Sequence, residues 1–224
     1  MKELVRNLTE VLKNREWILF KKRRRKKLDN LDFSIIASNC VGTIMYHDLG
    51  MPFLSPTINL AMGMQDFVRF AENLKWYMEK EIVELKDEQE WPAGMLGDIK
   101  INFVHYETFE EGVLKWEERK KRINWDNLFL IGSERDGCTY ETIQRFDKLP
   151  FENKVILTHV RYPEIPSAYC IEGFEEKEEL GMVLNYKKQI LKRRYLDDFD
   201  YVTFLNQPIR QRSTESKEEG RGGM

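Results

Sequence analysis

The sequence predicts an α/β fold of three layers, a mostly parallel sheet with helices on both faces, arranged as one unit or as two similar half-domains. Three observations predict it. Short apolar runs of strand length recur from residue 31 onward, and amphipathic segments of helical period separate them. The 224 residues, 42% hydrophobic and 12% aromatic, carry enough apolar surface for a sizeable core. At about 150 residues per domain, that length suits one large domain or two small ones. Wholesale disorder and collagen-like or low-complexity classes are excluded.

The chain opens on a basic leader, residues 1–30. Its first 27 residues hold eleven Lys or Arg against Glu3, Glu10 and Glu16, whereas the rest of the chain holds 25 basic and 35 acidic side chains. Leu4, Leu8, Val11 and Leu12 recur at three- and four-residue spacing, which predicts a helix. Trp17-Ile18-Leu19-Phe20 then runs into seven consecutive cations, Lys21 to Lys27. An anionic membrane surface suits that composition, each basic residue contributing about 1 kcal/mol. Nucleic acid attracts the same run, and a solvated helix end also accounts for it. The acidic body has no second basic stripe with interleaved aromatics, so sequence-specific nucleic acid is not an expected partner.

Residues 31–206 read as the α/β domain. Strands are expected at 33–37, 99–104, 127–131, 154–158 and 200–205. A helix is expected at 43–49, with Gly50 as its stop, and another at 65–80, with Phe67, Val68, Ala71, Leu74 and Met78 on one face. The segment 108–122 opens with the capping box Thr108-x-x-Glu111 and is expected to bury Val113, Leu114 and Trp116. Residues 141–148 and 177–195 complete the helices, the last ending on Lys192-Arg193-Arg194, which suits the negative end of a helix dipole. Strand–helix alternation implies right-handed parallel crossovers. The turns 38–43 and 132–139 both join a strand to a helix through Ser, Cys, Gly and Thr, an echo that would divide the domain near residue 124. Residues 207–224, poor in apolar side chains, are expected to be a disordered tail.

Open parallel sheets bind ligands beyond the carboxyl ends of their strands, where helix N-termini supply free N–H groups. Chain order puts Ser38, Asn39 and Cys40 there, then His105 and Tyr106, then Ser133, Arg135 and Asp136, then His159 and Arg161. Each also has an ordinary structural use, as cap, turn residue or carbonyl partner. His105 or His159 is the candidate general base, with Asp136 orienting it or holding a sugar hydroxyl. The turn of Asn39 to Gly42, helped by Arg135, is the candidate anion site, since Gly42 permits close backbone approach. Cys40, at a helix N-terminus, is a candidate nucleophile if a histidine from another strand activates it. Residues 51–60 hold two prolines and must be an ordered loop or edge strand, in which Thr57 and Asn59 share a side suited to sugar hydroxyls. Residues 91–97 form a candidate lid over a ring-shaped substrate.

Neither a Walker loop nor GxGxxG occurs, and HxH and HExxH are absent, so no cofactor or metal is called for. Three cysteines without a CxxC pair argue for reduced thiols and a cytoplasmic home. No apolar run approaches the roughly 20 residues that cross a bilayer, and the N-terminus lacks a signal-peptide pattern.

Taken together, these residues resemble an uncharacterised bacterial family encoded in capsule and exopolysaccharide gene clusters. The resemblance spans about residues 32–206. It is carried by the Asn39-Cys40-x-Gly42 turn, Tyr46, Leu49-Gly50, the 53–59 loop with Ser55-Pro56-Thr57, Asp66-Phe67 and His105-Tyr106. Further along it rests on Trp116, Arg122-Ile123-Asn124, Asp136-Gly137, Phe146, Lys154-Val155 and Thr158. The family's first turn reads Ser-Asn-Asn-Cys-x-Gly-Gly, so Ser38 and Thr43 depart from it while Asn39, Cys40 and Gly42 match. The resemblance implies work on surface polysaccharide. Combined with the strand-end residues, it leads to the expectation of a transferase or sugar-modifying enzyme acting on a sugar or nucleotide sugar. Two rivals stand beside it: a membrane-associated adaptor for polysaccharide-assembly proteins, and a Cys40-dependent acyltransferase or hydrolase.

Overall fold

The computed structural model describes residues 2–86, 90–187 and 191–207; the expected tail lies almost wholly outside the described residues. In chain order the first elements are α1 (Lys2–Lys26), β1 (Ser34–Ala37), α2 (Val41–Leu49), α3 (Met64–Glu72), α4 (Leu74–Met78), β2 (Ile82–Glu84), β3 (Ala93–Leu96) and β4 (Ile99–Asn102). There follow α5 (Phe109–Lys120), β5 (Leu128–Ser133), α6 (Tyr140–Asp147), β6 (Lys154–Thr158), β7 (Ala168–Cys170) and α7 (Tyr201–Leu205).

β1, β5, β6 and β7 pair in that order and all in parallel, with Ser34 opposite Leu128, Leu130 opposite Lys154 and Ile156 opposite Ala168. The fold is α/β. Because side chains alternate across a strand, the sheet divides its apolar residues between two cores. Ile36, Leu130 and Ile156 pack with α3, α6 and Trp116 on one face. Ile35, Ala37, Phe129, Ile131, Val155 and Leu157 pack with α2, α7, Phe174 and Leu180 on the other. β1 precedes residue 124 and β5 follows it, so the sheet runs straight through the expected half-domain boundary.

Four sequence expectations are corrected. The strand at 99–104 forms, but as β4 of a separate antiparallel meander β2-β3-β4, tied to the loop before α3 by the Ala61–Asn102 bridge. The cause is the Gly97-Asp98 pair: Gly97, at φ 64, makes the two-residue turn that draws the expected lid segment into β3. The expected strand 200–205 is instead α7, capped by the Asp200 carboxylate, which accepts from the Thr203 N–H at 3.2 Å. Its buried residues 201, 202, 204 and 205 fit one helical face as well as a strand. Residues 177–187 and 191–194 run as turns and loops where a long helix is expected over 177–195, and 188–190 lie outside the described residues. Gly181 there packs against Phe174, whose ring a Cβ would meet at 2.3 Å. Leu114, expected inside, is exposed, while Trp116 is buried.

β1 is an edge strand, and side chains close its edge. Tyr46 accepts the Ile35 N–H at 2.9 Å and donates to the Phe33 carbonyl at 3.1 Å, while Thr57 Oγ1 accepts the Ala37 N–H at 3.0 Å.

The leader is not a free arm. Trp17 is buried, Arg24 donates to Asp197 Oδ1 at 3.0 Å, and Arg193 donates twice to the Glu16 carboxylate at 2.7 Å. Arg194 pairs with the buried Asp48 of α2, and Lys21 lies 3.7 Å from the same carboxylate. The cations of 192–194, expected to cap a helix, therefore clamp α1 to the body.

Candidate functional site

The strands β5 and β6 end beside one another, and their next residues meet. Glu134 extends the β5 ladder by donating its N–H to the Leu157 carbonyl at 2.8 Å, and its own carbonyl accepts from the Leu180 N–H at 2.8 Å. That pinning turns the Glu134 carboxylate into the protein, where it is buried. Oε2 accepts the His159 N–H at 2.8 Å and lies 2.6 Å from His159 Nδ1; Oε1 accepts the Tyr162 hydroxyl at 2.6 Å. A buried carboxylate needs such donors, because desolvation without them costs several kcal/mol.

A carboxylate facing Nδ1 holds the proton on that nitrogen and leaves Nε2 as the basic one. Nε2 has no hydrogen-bond partner among the described residues, and the imidazole is 12% exposed. Burial and the bond to Glu134 push the Tyr162 hydroxyl well above the ordinary phenol range, so it stays a donor. Its ring packs at a tilt of 36° against Tyr140, with centroids 5.6 Å apart, and Tyr140 donates to Glu164 Oε1 at 2.8 Å. The Ser133 hydroxyl, buried at the end of β5, has no partner among the described residues.

Two hollows flank this point. One, of about 580 Å³, runs along the β6–β7 edge past Arg161, Tyr162, Tyr169, Cys170 and Lys187. The other, of about 500 Å³, lies between Gly63, Asp66, Trp91, Asn102, Val104 and Asp136. Tyr162 joins Glu134 to the first hollow, and Asp136, two residues along the chain, lies in the second.

Of the residues expected at the site, His159 stands at the centre. Asp136 does not orient it: Asp136 sits at φ 56 in the turn, its N–H donates to Glu179 Oε2 at 3.0 Å, and its carboxylate lies 3.3 Å from Arg135 Nε. Glu134 holds His159 instead. His105 follows β4 of the small sheet and is exposed, and its neighbour Val104 lines the second hollow together with Asp136. At the first turn, Asn39 and Gly42, expected to hold an anion, have structural uses. Asn39 Oδ1 accepts the Val41 N–H at 3.1 Å, and Gly42 faces the sheet, where a Cβ would sit 3.0 Å from both Ala37 Cβ and Ile35 Cγ2. Gly42 thus serves helix–sheet packing. Arg135 points its Nη1 to Met182 Sδ at 2.9 Å rather than toward that turn.

Thr57 is fully buried against β1 and cannot meet a sugar. Asn59, at φ 61, donates its N–H to Thr43 Oγ1 at 3.0 Å and is half-buried. Cys40 caps α2, but burial pushes its thiol up to about 11, and no histidine bonds to it among the described residues. Burial also pushes Cys138 up to about 12, with Glu134 and Glu179 adding to the rise. A thiol so raised is less ionised at neutral pH than an ordinary cysteine, which disfavours Cys40 as the nucleophile.

Among the described residues no group of three or more His, Cys, Asp or Glu is arranged to hold a metal. Asp198-Phe199-Asp200 has the spacing of a metal-binding DxD, but Asp198 pairs with Lys187 and Asp200 caps α7.

The geometry defines an α/β protein with a buried carboxylate–histidine pair at the carboxyl ends of adjacent parallel strands. The chain belongs to the family described as Domain of unknown function (DUF1919), whose model matches residues 11–206. It is similar to an uncharacterised protein of Haemophilus influenzae, 39% identical over 199 residues that cover 89% of this chain and 96% of the relative. The match begins within α1 and runs to the end of α7.

Proposed function

We propose that this protein is a cytoplasmic transferase of bacterial surface-polysaccharide assembly. His159 acts as general base toward a hydroxyl of a phosphate-bearing sugar, and Glu134 positions it. One observation carries the reading: the buried Glu134 carboxylate lies 2.6 Å from His159 Nδ1 at the strand ends of the parallel sheet. In the step, Nε2 accepts the hydroxyl proton as the sugar oxygen forms its bond to the transferred group. The leaving group departs with the electrons of the bond that breaks and receives the proton from the imidazolium. Glu134 favours the imidazolium as it forms. Along the hollow beside β7 the rings of Tyr162 and Tyr169 suit a sugar face, while Arg161 and Lys187, paired there with Glu172 and Asp198, exchange those acids for a phosphate when it binds. The polysaccharide setting rests on the family resemblance of the sequence.

A thermal-shift screen of nucleotide sugars, sugar phosphates and acyl-CoA, followed by a turnover assay on the stabilising compound, tests this. The expected result is stabilisation by a sugar phosphate or nucleotide sugar, with turnover about 10²–10⁴-fold lower in a folded His159→Ala variant. Full turnover in that variant removes the acid–base role. A second reading, an adaptor for polysaccharide-assembly proteins, is favoured by the clamped basic helix. It predicts that His159→Ala leaves function in cells intact.

A further inference from the structure

Helix α1 has two working faces. The inner one is held to the body by Trp17, Lys21 and Arg24. On the outer one Val11, Leu12, Ile18 and Leu19 are 51%, 56%, 49% and 50% exposed. At about 100° per residue, Arg15, Lys22 and Lys26 fall on that same outer face. Among the described residues these three cations have no ion-pair partner, and the nearby acids are taken: Glu10 by Lys13 and Glu16 by Arg193. No helix of the described residues is long and apolar enough to cross a membrane.

We propose that this outer face lies in the headgroup plane of an anionic lipid bilayer, as an in-plane amphipathic helix. Large aliphatic side chains enter the interface while Arg and Lys stems run along it and place their charges among anionic headgroups. The charge distribution favours the same arrangement. The basic leader is drawn to the surface and the acidic body, with 35 acidic against 25 basic residues after position 27, is held off it, so the protein has one preferred side. A second copy fits the face less well, because a two-fold pairing would bring the three cations of each helix together without an acid between them. Nucleic acid fits less well too, since the stripe is aliphatic and lacks aromatic platforms. The clamps on the inner face make α1 a rigid part of the body, so the bilayer fixes the orientation of the whole protein. This inference does not depend on the catalytic reading.

Co-sedimentation of the full chain with phosphatidylglycerol–phosphatidylcholine vesicles and with pure phosphatidylcholine vesicles tests it. Wild type is expected on the anionic vesicles only, and to dissociate as salt is raised. Leu12→Glu/Leu19→Glu and Lys22→Glu/Lys26→Glu, at exposed positions and checked for folding by circular dichroism, are each expected to weaken partitioning by about tenfold or more. Equal recovery on both vesicle types, recovery on neither, or wild-type binding by both variants overturns the proposal. So does a dimer in sedimentation velocity that dissociates in Leu12→Glu/Leu19→Glu, which would assign the face to a second copy. Retention on duplex DNA that anionic vesicles fail to compete away overturns it in favour of nucleic acid.

Discussion

Glu134 follows an apolar strand and precedes Arg135 and Asp136, so its local sequence is that of a solvated turn. The structure buries it because its N–H and C=O are both bonded to neighbouring segments, Leu157 and Leu180, which are distant along the chain. Glu134→Gln is expected to keep the fold, losing about 1–3 kcal/mol because one of its donors is left unpaired, while turnover falls far more than stability. Urea unfolding and turnover measured on the same preparation separate the two effects. His159 was legible as a strand-end histidine; its partner was not, because nothing local distinguishes a buried glutamate from an exposed one. The cysteines give a second residue-scale expectation. With Cys40 raised from 9.0 to about 11, its thiolate fraction at pH 8 is about a hundredfold lower than that of an ordinary thiol. Mass spectrometry after iodoacetamide at that pH is expected to find Cys40 alkylated correspondingly slowly in the native protein and quickly in urea.

Elements are legible in the sequence where one face of a regular period is apolar. The Thr108 cap, whose Oγ1 accepts the Glu111 N–H at 3.2 Å, and the Gly50 stop of α2, at φ 59, are both where the sequence puts them. The meander and α7 are not legible in the sequence, because short apolar runs suit helix and strand alike and pairing partners decide between them. Gly97-Asp98 between Met95-Leu96 and Ile99-Lys100 is the signal in the sequence that marks the hairpin. Gly42 discriminates between two uses of one glycine. Gly42→Ala is expected to lower stability by about 1–3 kcal/mol by crowding Ile35 and Ala37, shifting the melting temperature several degrees and leaving ligand affinity unchanged. A drop in affinity without a change in melting temperature would return Gly42 to the binding site. Also against β1, Thr57→Val leaves the Ala37 N–H unpaired in a buried setting, an expected loss of about 1–3 kcal/mol in urea unfolding.

At the scale of the molecule, Asp48 is the knot that joins leader, α2 and the 192–198 segment, through Arg194, Lys21 and the Tyr201 hydroxyl at 3.4 Å. Asp48→Ala strands the buried Arg194 with only Asp197 and is expected to cost about 3–5 kcal/mol, with faster proteolysis inside residues 10–27. Equal proteolysis of variant and wild type would mean that α1 is held by apolar packing alone. Burial also raises Cys40 to about 11, Tyr201 and Cys138 to about 12, and Tyr46 further. Each group binds its proton more tightly folded than unfolded, so its contribution is intact below the ordinary thiol and phenol values near 9 to 10 and is lost as pH climbs toward 12. The urea midpoint is expected to hold from pH 7 to 9 and fall steadily above that; a midpoint unchanged at pH 11 would contradict the burial of these groups.

Composition, period and capping residues by themselves determined the α/β class, the parallel strands at 33–37, 127–131 and 154–158, the leader helix and the strand-end position of His159. These are set by interactions a few residues long, and a single chain displays them openly. Only the tertiary structure decided that Glu134 holds His159, that Gly42 and Thr57 serve β1, and that the cations of 192–194 clamp α1. Each of those depends on which distant segment arrives to share a buried hydrogen bond, and burial is a property of the packed whole.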